Sequence, residues 1–282
     1  MTDKTQPETE TESELVSVIV TTKNVARTLA ACLRSIRDQD YPRIELIVVD
    51  NHSTDDTVAI AARFTDVVLV AGPERSAQRN LGVRTAQGGW IMWIDADMVL
   101  ERDVVTQAVA VAARTGAVAV SVPERTVGPG FWTACRTLER SCYLDDPSLF
   151  NPRLLRRDYL LGLGGFDLGM SGPEDTDLRL RLHADGAVLA HTDAFIDHDE
   201  GRLTLREVTR KRVYYGRSLP AFAQANPGAV RTQAKATVGA FLRHRGALLR
   251  DPGHAAGLVF MRSVEAGAYL VGAAQGRRAR RA

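Results

Sequence analysis

Several features are scarce or missing in this chain, and each absence narrows what it can be. Cysteine is rare: Cys32, Cys135 and Cys142 are the three among 282 residues. Their number is odd and their spacing matches no metal motif. A thiolate metal site is excluded, and buried free thiols in a reducing compartment are expected instead. No run of about twenty uninterrupted apolar residues occurs, so no membrane-spanning helix is expected. The opening residues are polar and acidic, and no signal peptide is expected before Leu15. The first strand-like segment leads into Thr21-Thr22-Lys23-Asn24 and not into Gly-x-Gly-x-x-Gly, which argues against a dinucleotide site of the usual kind. Net charge is also nearly absent: 36 Lys and Arg against 34 Asp and Glu leave +2, a balance that selects no partner.

What is present reads as a globular protein, 45% hydrophobic and 25% charged, long enough for one large domain or two small ones. The charge is unevenly spread. Residues 1–14 are acidic and lack apolar periodicity, so a disordered tail is expected there. Residues 202–250 hold eleven Lys or Arg and one acid, Glu207. Such a surplus suggests an anionic partner, a membrane surface or a phosphate-bearing acceptor; no nucleic acid partner is expected.

Between these segments, strand and helix signals alternate. Residues 15–22 and 44–49 read as buried strands, 67–70 as a third, and Gly88-Gly89 turns the chain into a fourth that ends near Asp97. Helical spacing of Leu29, Leu33 and Ile36, a near-capping box from Ser53 to Asp56, and a helical stretch from Ser76 to Ala86 fill the gaps. The alternation predicts an α/β fold, a doubly wound, mostly parallel sheet with helices on both faces. In the fourth strand, Trp90-Ile91-Met92-Trp93-Ile94-Asp95-Ala96-Asp97, the two carboxylates lie two apart. On a strand they would project together from the carboxyl end, where open α/β sheets place their ligands. Paired hard oxygen donors suit Mg²⁺ or Mn²⁺, although Asp-Ala-Asp taken alone also fits a solvated turn.

Four ordered motifs then become recognisable together: Val18 to Asn24, Val48-Val-Asp-Asn-His-Ser-Thr-Asp-Asp-Thr57, Gly72-Pro-Glu-Arg-Ser-Ala-Gln-Arg-Asn-Leu-Gly82 and Ile94-Asp-Ala-Asp97. In order and spacing they resemble the family 2 glycosyltransferases of GT-A fold, and further matches extend the likeness over about residues 15–220. The resemblance implies that Thr21 lines the nucleotide pocket, that Asp50 accepts the N3–H of a uracil, and that Arg79 reaches the nucleotide or diphosphate. It also implies that Asp95 faces the ribose or phosphate and that Asp97 holds the metal. Many members carry an aromatic where Lys23 stands; Lys23 cannot stack on a base, though its charge suits phosphate. Read from the residues alone, Asp50 equally suits a cap for the following helix, and Arg79 an ordinary surface position. Glu74-Arg75 is left as a loop pair.

Further along, residues 104–113 read as a helix, 117–122 as a strand, and 131–143 as a helix whose leading aromatics suit either an acceptor groove or core. In Ser171-Gly-Pro-Glu-Asp-Thr-Asp177, Gly172 suits a cap and Pro173 the first helical position. Glu174 and Asp175 then complement the helix dipole. They also match the family's Glu-Asp motif, which implies Asp175 as catalytic base and Glu174 holding the acceptor or a donor-sugar hydroxyl. Asp177 reads as structural. His198, downstream of the acid pair, is implied as a metal or diphosphate ligand, and neutral imidazole is an acceptable ligand for Mn²⁺. Residues 238–272 suit either a helical annex or a membrane-facing region. The Arg277–Arg281 end reads as a solvated tail or an anionic-lipid contact.

The expected organisation is an acidic tail over 1–14, a catalytic domain over 15–200 divided near residue 100 into nucleotide-sugar and acceptor halves, and a basic helical extension over 201–282. The expected activity is metal-dependent, inverting hexosyl transfer from a nucleoside diphosphate sugar, UDP-sugar first. The acceptor is a hydroxyl, with a lipid-linked or cell-envelope glycan as one candidate. The expected place is the cytoplasm, at the inner face of the membrane if the basic region touches lipid. Two competing classes are a sugar-nucleotide nucleotidyltransferase, which usually needs a Gly-rich loop after the first strand, and a silent nucleotide-binding module, which would lose the acids.

Overall fold

The parallel strands at the centre of the fold form where the sequence carries its unbroken apolar runs. The computed structural model describes residues 13–279. In chain order the elements are β1 (Val16–Thr22), α1 (Ala26–Arg37), β2 (Ile44–Asp50), α2 (Thr57–Ala61), β3 (Val68–Val70), α3 (Arg75–Thr85), β4 (Trp90–Asp95) and β5 (Met98–Leu100). Then come α4 (Val104–Thr115), β6 (Ala119–Ser121), β7 (Glu124–Val127), α5 (Phe131–Ser141), β8 (Pro152–Arg156), α6 (Arg157–Gly162), α7 (Glu174–Ala184), β9 (Leu189–His191) and β10 (Ile196–Asp199). Five helices close the chain: α8 (Leu205–Gly216), α9 (Leu219–Ala225), α10 (Ala229–Arg243), α11 (Arg245–Arg250) and α12 (Pro252–Ala279).

The main sheet has seven strands in the order β3-β2-β1-β4-β8-β6-β9. All are parallel except β8, which runs against both β4 and β6. One apolar core packs α1 and α4 on one face through Leu29, Leu33, Val104 and Val105. A second packs α3, α6 and α7 on the other through Val83, Leu160, Leu178 and Leu182. Each such fully buried side chain contributes about 1.5–3 kcal/mol. The expected α/β fold is therefore present. From β1 the order runs outward through β2 and β3, then restarts at β4 on the other side. The carboxyl ends of β1 and β4 thus flank a topological switch point, where sheets of this kind bind ligands. Register puts Thr21 opposite Asp95 there.

Two features differ from the sequence reading. β8 lay hidden in a segment notable for its arginines: Leu154 and Leu155 are buried, while Arg153 and Arg156 take ion pairs with Glu124 and Glu14. Glu14 also accepts a hydrogen bond at its carbonyl from Tyr41, 2.6 Å away, so residue 14 is tied to the body; the rest of the expected acidic tail, residues 1–12, lies outside the described residues. The second surprise is a three-stranded sheet, β5-β10-β7, which pairs His198 with Met98 and with Thr126. All three cysteines are free and buried, as expected.

The C-terminal helices wrap back onto the body. α12 packs along α8 and α5 so closely that a Cβ on Gly272 would stand 2.2 Å from the Val213 carbonyl. Between them lies a buried ionic cluster. Glu265 takes Arg212 at 2.8 Å and Arg262 at 2.9 Å, and also Arg136, which in turn holds Glu139 at 2.6 Å. Burial opposes the charge on Glu265, but the guanidiniums of Arg212, Arg136 and Arg262 outweigh it and bring its pKa down to about 2. A depressed carboxyl contributes stability above its ordinary pKa of 4.5 and loses it as pH falls through about 2. Glu265→Gln, which takes the carboxylate from Arg212 and leaves Arg136 and Arg262 with Glu139 alone, should cost about 3 kcal/mol at neutral pH. Urea unfolding should show the gap between variant and wild type closing as pH drops from 4.5 towards 2.

Candidate active site

The site is built where β1, β4, α3 and α7 converge. Arg75, Gln78 and Arg79 share one face of α3, one turn apart. Gln78 braces the strand ends beneath, donating to the Thr22 carbonyl at 3.0 Å and the Val49 carbonyl at 2.6 Å. Arg79 is fully buried under the cleft and bridges two acids, Asp95 at 3.0 Å and Asp175 at 2.6 Å. Arg75 reaches into the cleft instead, 3.3 Å from Asp95 and 3.5 Å from Glu174, and donates to the Tyr215 hydroxyl at 2.9 Å. Burial works against the charge on Asp95, but Arg75 and Arg79 outweigh it and hold its carboxyl far below the usual range.

The second group of acids surrounds His198. Because β10 lies beside β5, His198 Nε2 comes 3.3 Å from Asp97 Oδ2, and its Nδ1 lies 3.7 Å from Glu124. Burial disfavours an imidazolium, but the two carboxylates prevail and push His198 up to about 10. His198 likewise outweighs burial at Asp97 and keeps that carboxyl below its ordinary value. Glu124 is opposed by burial and held well below the carboxylate range by Arg153, which donates to it at 2.9 Å through Nε. Arg153 also stands 3.6 Å from Asp175 Oδ2, so the two groups meet at the acid pair.

Asp175 is held on one side only. Its Oδ1 accepts from Arg79 at 2.6 Å and from the Trp93 indole at 3.2 Å, whereas Oδ2 has only Arg153 nearby, beyond hydrogen-bond distance. Glu174 is almost fully buried, and its Oε2 has no protein partner. α7 starts one residue later than expected, with Pro173 rather than Gly172 at the cap. Gly172 is needed for another reason: its φ is +99° and the Tyr215 ring of α8 occupies the place of a Cβ. Asp177 is structural, paired with Arg181 at 2.9 Å and with Asn226 at 2.9 Å.

A cleft of about 380 Å³ collects these groups, lined by Thr21, Asp95, Asp97, Glu174, Asp175 and His198, among others. A larger compartment of about 1010 Å³ adjoins it and shares Lys23, Arg75, Asp97 and Tyr215. Two residues singled out in the sequence do not line either space. Asp50 is buried, its carboxylate engaged by Thr22 Oγ1 at 2.8 Å and by the Ser53 hydroxyl and amide at 2.6 and 2.7 Å; its neighbour Asn51 lines the larger compartment. Arg79 lies underneath. Among the cleft-facing residues assigned no individual role beforehand are Arg75, Glu124, Arg153, Lys211, Arg212 and Tyr215. Arg75 alone left a signal, one helical turn before Arg79. The aromatics Phe131 and Trp132 do not shape the cleft; they pack on α12, and Tyr143 at the other end of that segment lines it instead.

Donors to one Mg²⁺ at 2.0–2.1 Å along perpendicular axes stand about 3 Å apart. Asp97 and His198 stand 3.3 Å apart as a hydrogen-bonded ion pair; a cation here would have to take the place of the imidazolium proton, after which the carboxylate and the neutral imidazole are an acceptable set for Mn²⁺. Asp95 does not fit, since two guanidiniums already occupy it. Among the described residues no cluster of three or more His, Cys, Asp or Glu forms a complete cage. Any cation here would therefore draw its remaining ligands from phosphate and water.

The sequence model of glycosyl transferase family 2 matches residues 17–166. Glycosyltransferase GlyG of Streptococcus pneumoniae is 34% identical over 100 residues, 33% of this chain and 33% of that protein. The Escherichia coli protein named UDP-Glc:alpha-D-GlcNAc-diphosphoundecaprenol beta-1,3-glucosyltransferase WfaP is 33% identical over 89 residues, 30% of this chain and 36% of that protein. The chain spans about a third or less of the length of the curated relatives it matches. Among solved structures, mannosyltransferase PcManGT from Pyrobaculum calidifontis, in complex with GDP-Man and Mn²⁺, aligns with TM-score 0.59 at 19% identity, covering 94% of this chain and 88% of that one. TarS 1–349 of S. aureus with UDP-GlcNAc aligns with TM-score 0.52 at 19% identity, covering 72% and 66%. Both share the GT-A fold.

Replacing Arg79 with Met should leave Asp95 and Asp175 without their shared cation. A loss of about 3 kcal/mol is expected in urea unfolding, and Arg79→Lys, which offers a point charge where a fork is needed, should recover only part of it.

Proposed function

We propose that this chain, which belongs to glycosyl transferase family 2, moves a sugar from a nucleoside diphosphate donor to an acceptor hydroxyl with inversion. The observation that carries the reading is the pairing, in one cleft, of an acid–imidazole couple at Asp97 and His198 with a carboxylate, Asp175, that keeps one oxygen free of hydrogen bonds. Asp97 and His198 would hold Mg²⁺ or Mn²⁺. When bound, such an ion acts as a Lewis acid and stabilises the departing diphosphate.

The protein's own groups do the rest. Arg75 and Lys211 line both compartments and bring positive charge to the diphosphate. Arg79 and Trp93 fix one oxygen of Asp175, so that Oδ2 is presented to the acceptor hydroxyl and takes its proton as the hydroxyl attacks the sugar carbon. Glu174 Oε2, buried and unpartnered, accepts from a sugar hydroxyl and is satisfied by it. Attack and departure on opposite faces give inversion in a single displacement. Thr21 lines the donor pocket. UDP-sugar is the donor we favour, since WfaP is named for UDP-Glc and the TarS complex holds UDP-GlcNAc. The acceptor we favour is a lipid-linked glycan, the class in WfaP's name. We read residues 15–200 as the catalytic unit and 201–282 as its extension, helical over its described residues.

A hydrolysis screen of UDP-, GDP- and TDP-sugars with Mn²⁺ or Mg²⁺ tests the donor without needing the acceptor, and turnover with UDP-sugars is expected. Asp97→Ala should abolish metal-dependent turnover; retention of full activity refutes the metal role. Asp175→Asn should keep donor affinity, measured by calorimetry, and slow transfer by about 10²–10⁴-fold, the usual worth of a general base. A large loss of donor affinity instead would reassign the residue.

A further inference from the structure

Apart from Arg262 and Glu265 of the buried cluster, the middle of α12 is apolar on two sides, and the protein covers one of them. Leu258, Met261, Ala268 and Ala273 are buried where the helix meets α5 and α8. The opposite face presents Val259 and Phe260 near one end and Leu270 and Val271 near the other, with the small residues Ser263, Ala266 and Gly267 between them, all exposed. Val259 and Leu270 are 67% and 66% exposed. No charged residue interrupts this strip between Ala256 and Ala274. Its one hydroxyl, on Ser263, is turned back to the Val259 carbonyl at 2.9 Å. Near Phe260 the strip widens: the Trp132 ring lies 6.1 Å from Phe260, and the exposed Phe131 lies tilted against His254, ring centres 5.0 Å apart.

A contiguous exposed apolar patch marks a protein or membrane contact. At 1.5 Å per residue the strip is about 30 Å long. The charges at its ends decide between occupants. Arg245 and Arg250 stand exposed before it, and Arg277 and Arg278 after it; Asp251, the acid at the near end, is engaged by His254 at 2.8 Å. A second copy lying antiparallel on this face would bring arginines against arginines at both ends, and a parallel copy would do the same. A layer of anionic headgroups meets both ends with opposite charge, while the strip enters the headgroup–acyl boundary.

We propose that the exposed face of α12 docks on an anionic bilayer surface, the helix lying in the plane of the interface. Among the described residues no helix is long and apolar enough to cross a membrane, and none is needed for this arrangement. The contact requires neither donor nor acceptor, so it stands apart from the transfer chemistry.

The test is sedimentation of the full chain with vesicles of phosphatidylcholine, with and without phosphatidylglycerol. Binding to the mixed vesicles is expected, weakening with salt and falling on phosphatidylcholine alone. Phe260→Glu combined with Leu270→Glu should lower partitioning by about tenfold or more through lost apolar insertion. Replacing Arg277 and Arg278 with Gln should lower it by about fivefold per residue, on anionic vesicles only. These positions are exposed, so unfolding midpoints and acceptor-free donor hydrolysis should match wild type, which separates failure here from failure of the proposed activity. Absence of binding to anionic vesicles, or equal binding by the Phe260→Glu/Leu270→Glu protein, overturns the proposal. A concentration-dependent dimer abolished by that variant, without vesicle binding, assigns the face to a second copy and overturns it as well.

Discussion

The arrangement of the cleft depends on one buried guanidinium. Arg79 is wholly out of water, and a cation there is tolerable only when carboxylates and hydrogen bonds surround it. The acids that meet this demand come from the end of β4 and the first turn of α7, Asp95 and Asp175. Because neither can leave without stranding the charge, the sheet's ligand edge and the α7 turn are locked together. The same lock holds one oxygen of Asp175 still, the preorganisation that the proposed proton transfer would require. Arg153 repeats the device from β8, tying Glu124 and approaching Asp175 from the other side.

How much of this was legible beforehand follows from range. β1 to β4 and the helices between them could be read because each is a local pattern, an apolar run or a helical repeat, and the acids at strand ends could be read from position. The family likeness added Glu174, Asp175 and His198. What could not be read depends on contacts between distant segments. β8 runs antiparallel between β4 and β6, and only that insertion brings Arg153 to Glu124. Arg79 and Arg75 are one turn apart on α3, and the sequence does not say which lies under the cleft and which within it. Asp50, placed at a strand end by the sequence, accepts from Thr22 and Ser53, contacts that no local pattern announces. In α12 the sequence mixes a covered face with an uncovered one, and its composition averages them; only the packing against α5 and α8 separates the two.

The C-terminal helices belong to the cleft as much as to their own cluster. α8 presents Lys211, Arg212 and Tyr215 to the cleft, and Tyr215 seats on Gly172 beside the acid pair. Arg212 also belongs to the Glu265 cluster that joins α8 to α12. A shift of α12 would therefore be felt at the cleft through a buried ion network and a glycine-to-backbone contact, neither of which can yield by small degrees.

The two acids of the Asp-Ala-Asp turn look equivalent in sequence, and electrostatics separates them. β4 ends at Asp95 and β5 begins at Met98, so the strand alternation that would align the pair does not extend to Asp97. Asp95 is turned towards Arg75 and Arg79, and its charge is already answered twice. Asp97 meets His198, and its side chain is about twice as exposed as that of Asp95, 35% against 18%. A further cation offered to Asp95 would have to displace guanidiniums held by geometry on all sides. Offered to Asp97, it has to displace only the imidazolium proton of His198, at a carboxylate that also lines the larger compartment. The same three-residue turn thus provides one acid that shapes the site and one that is available to it.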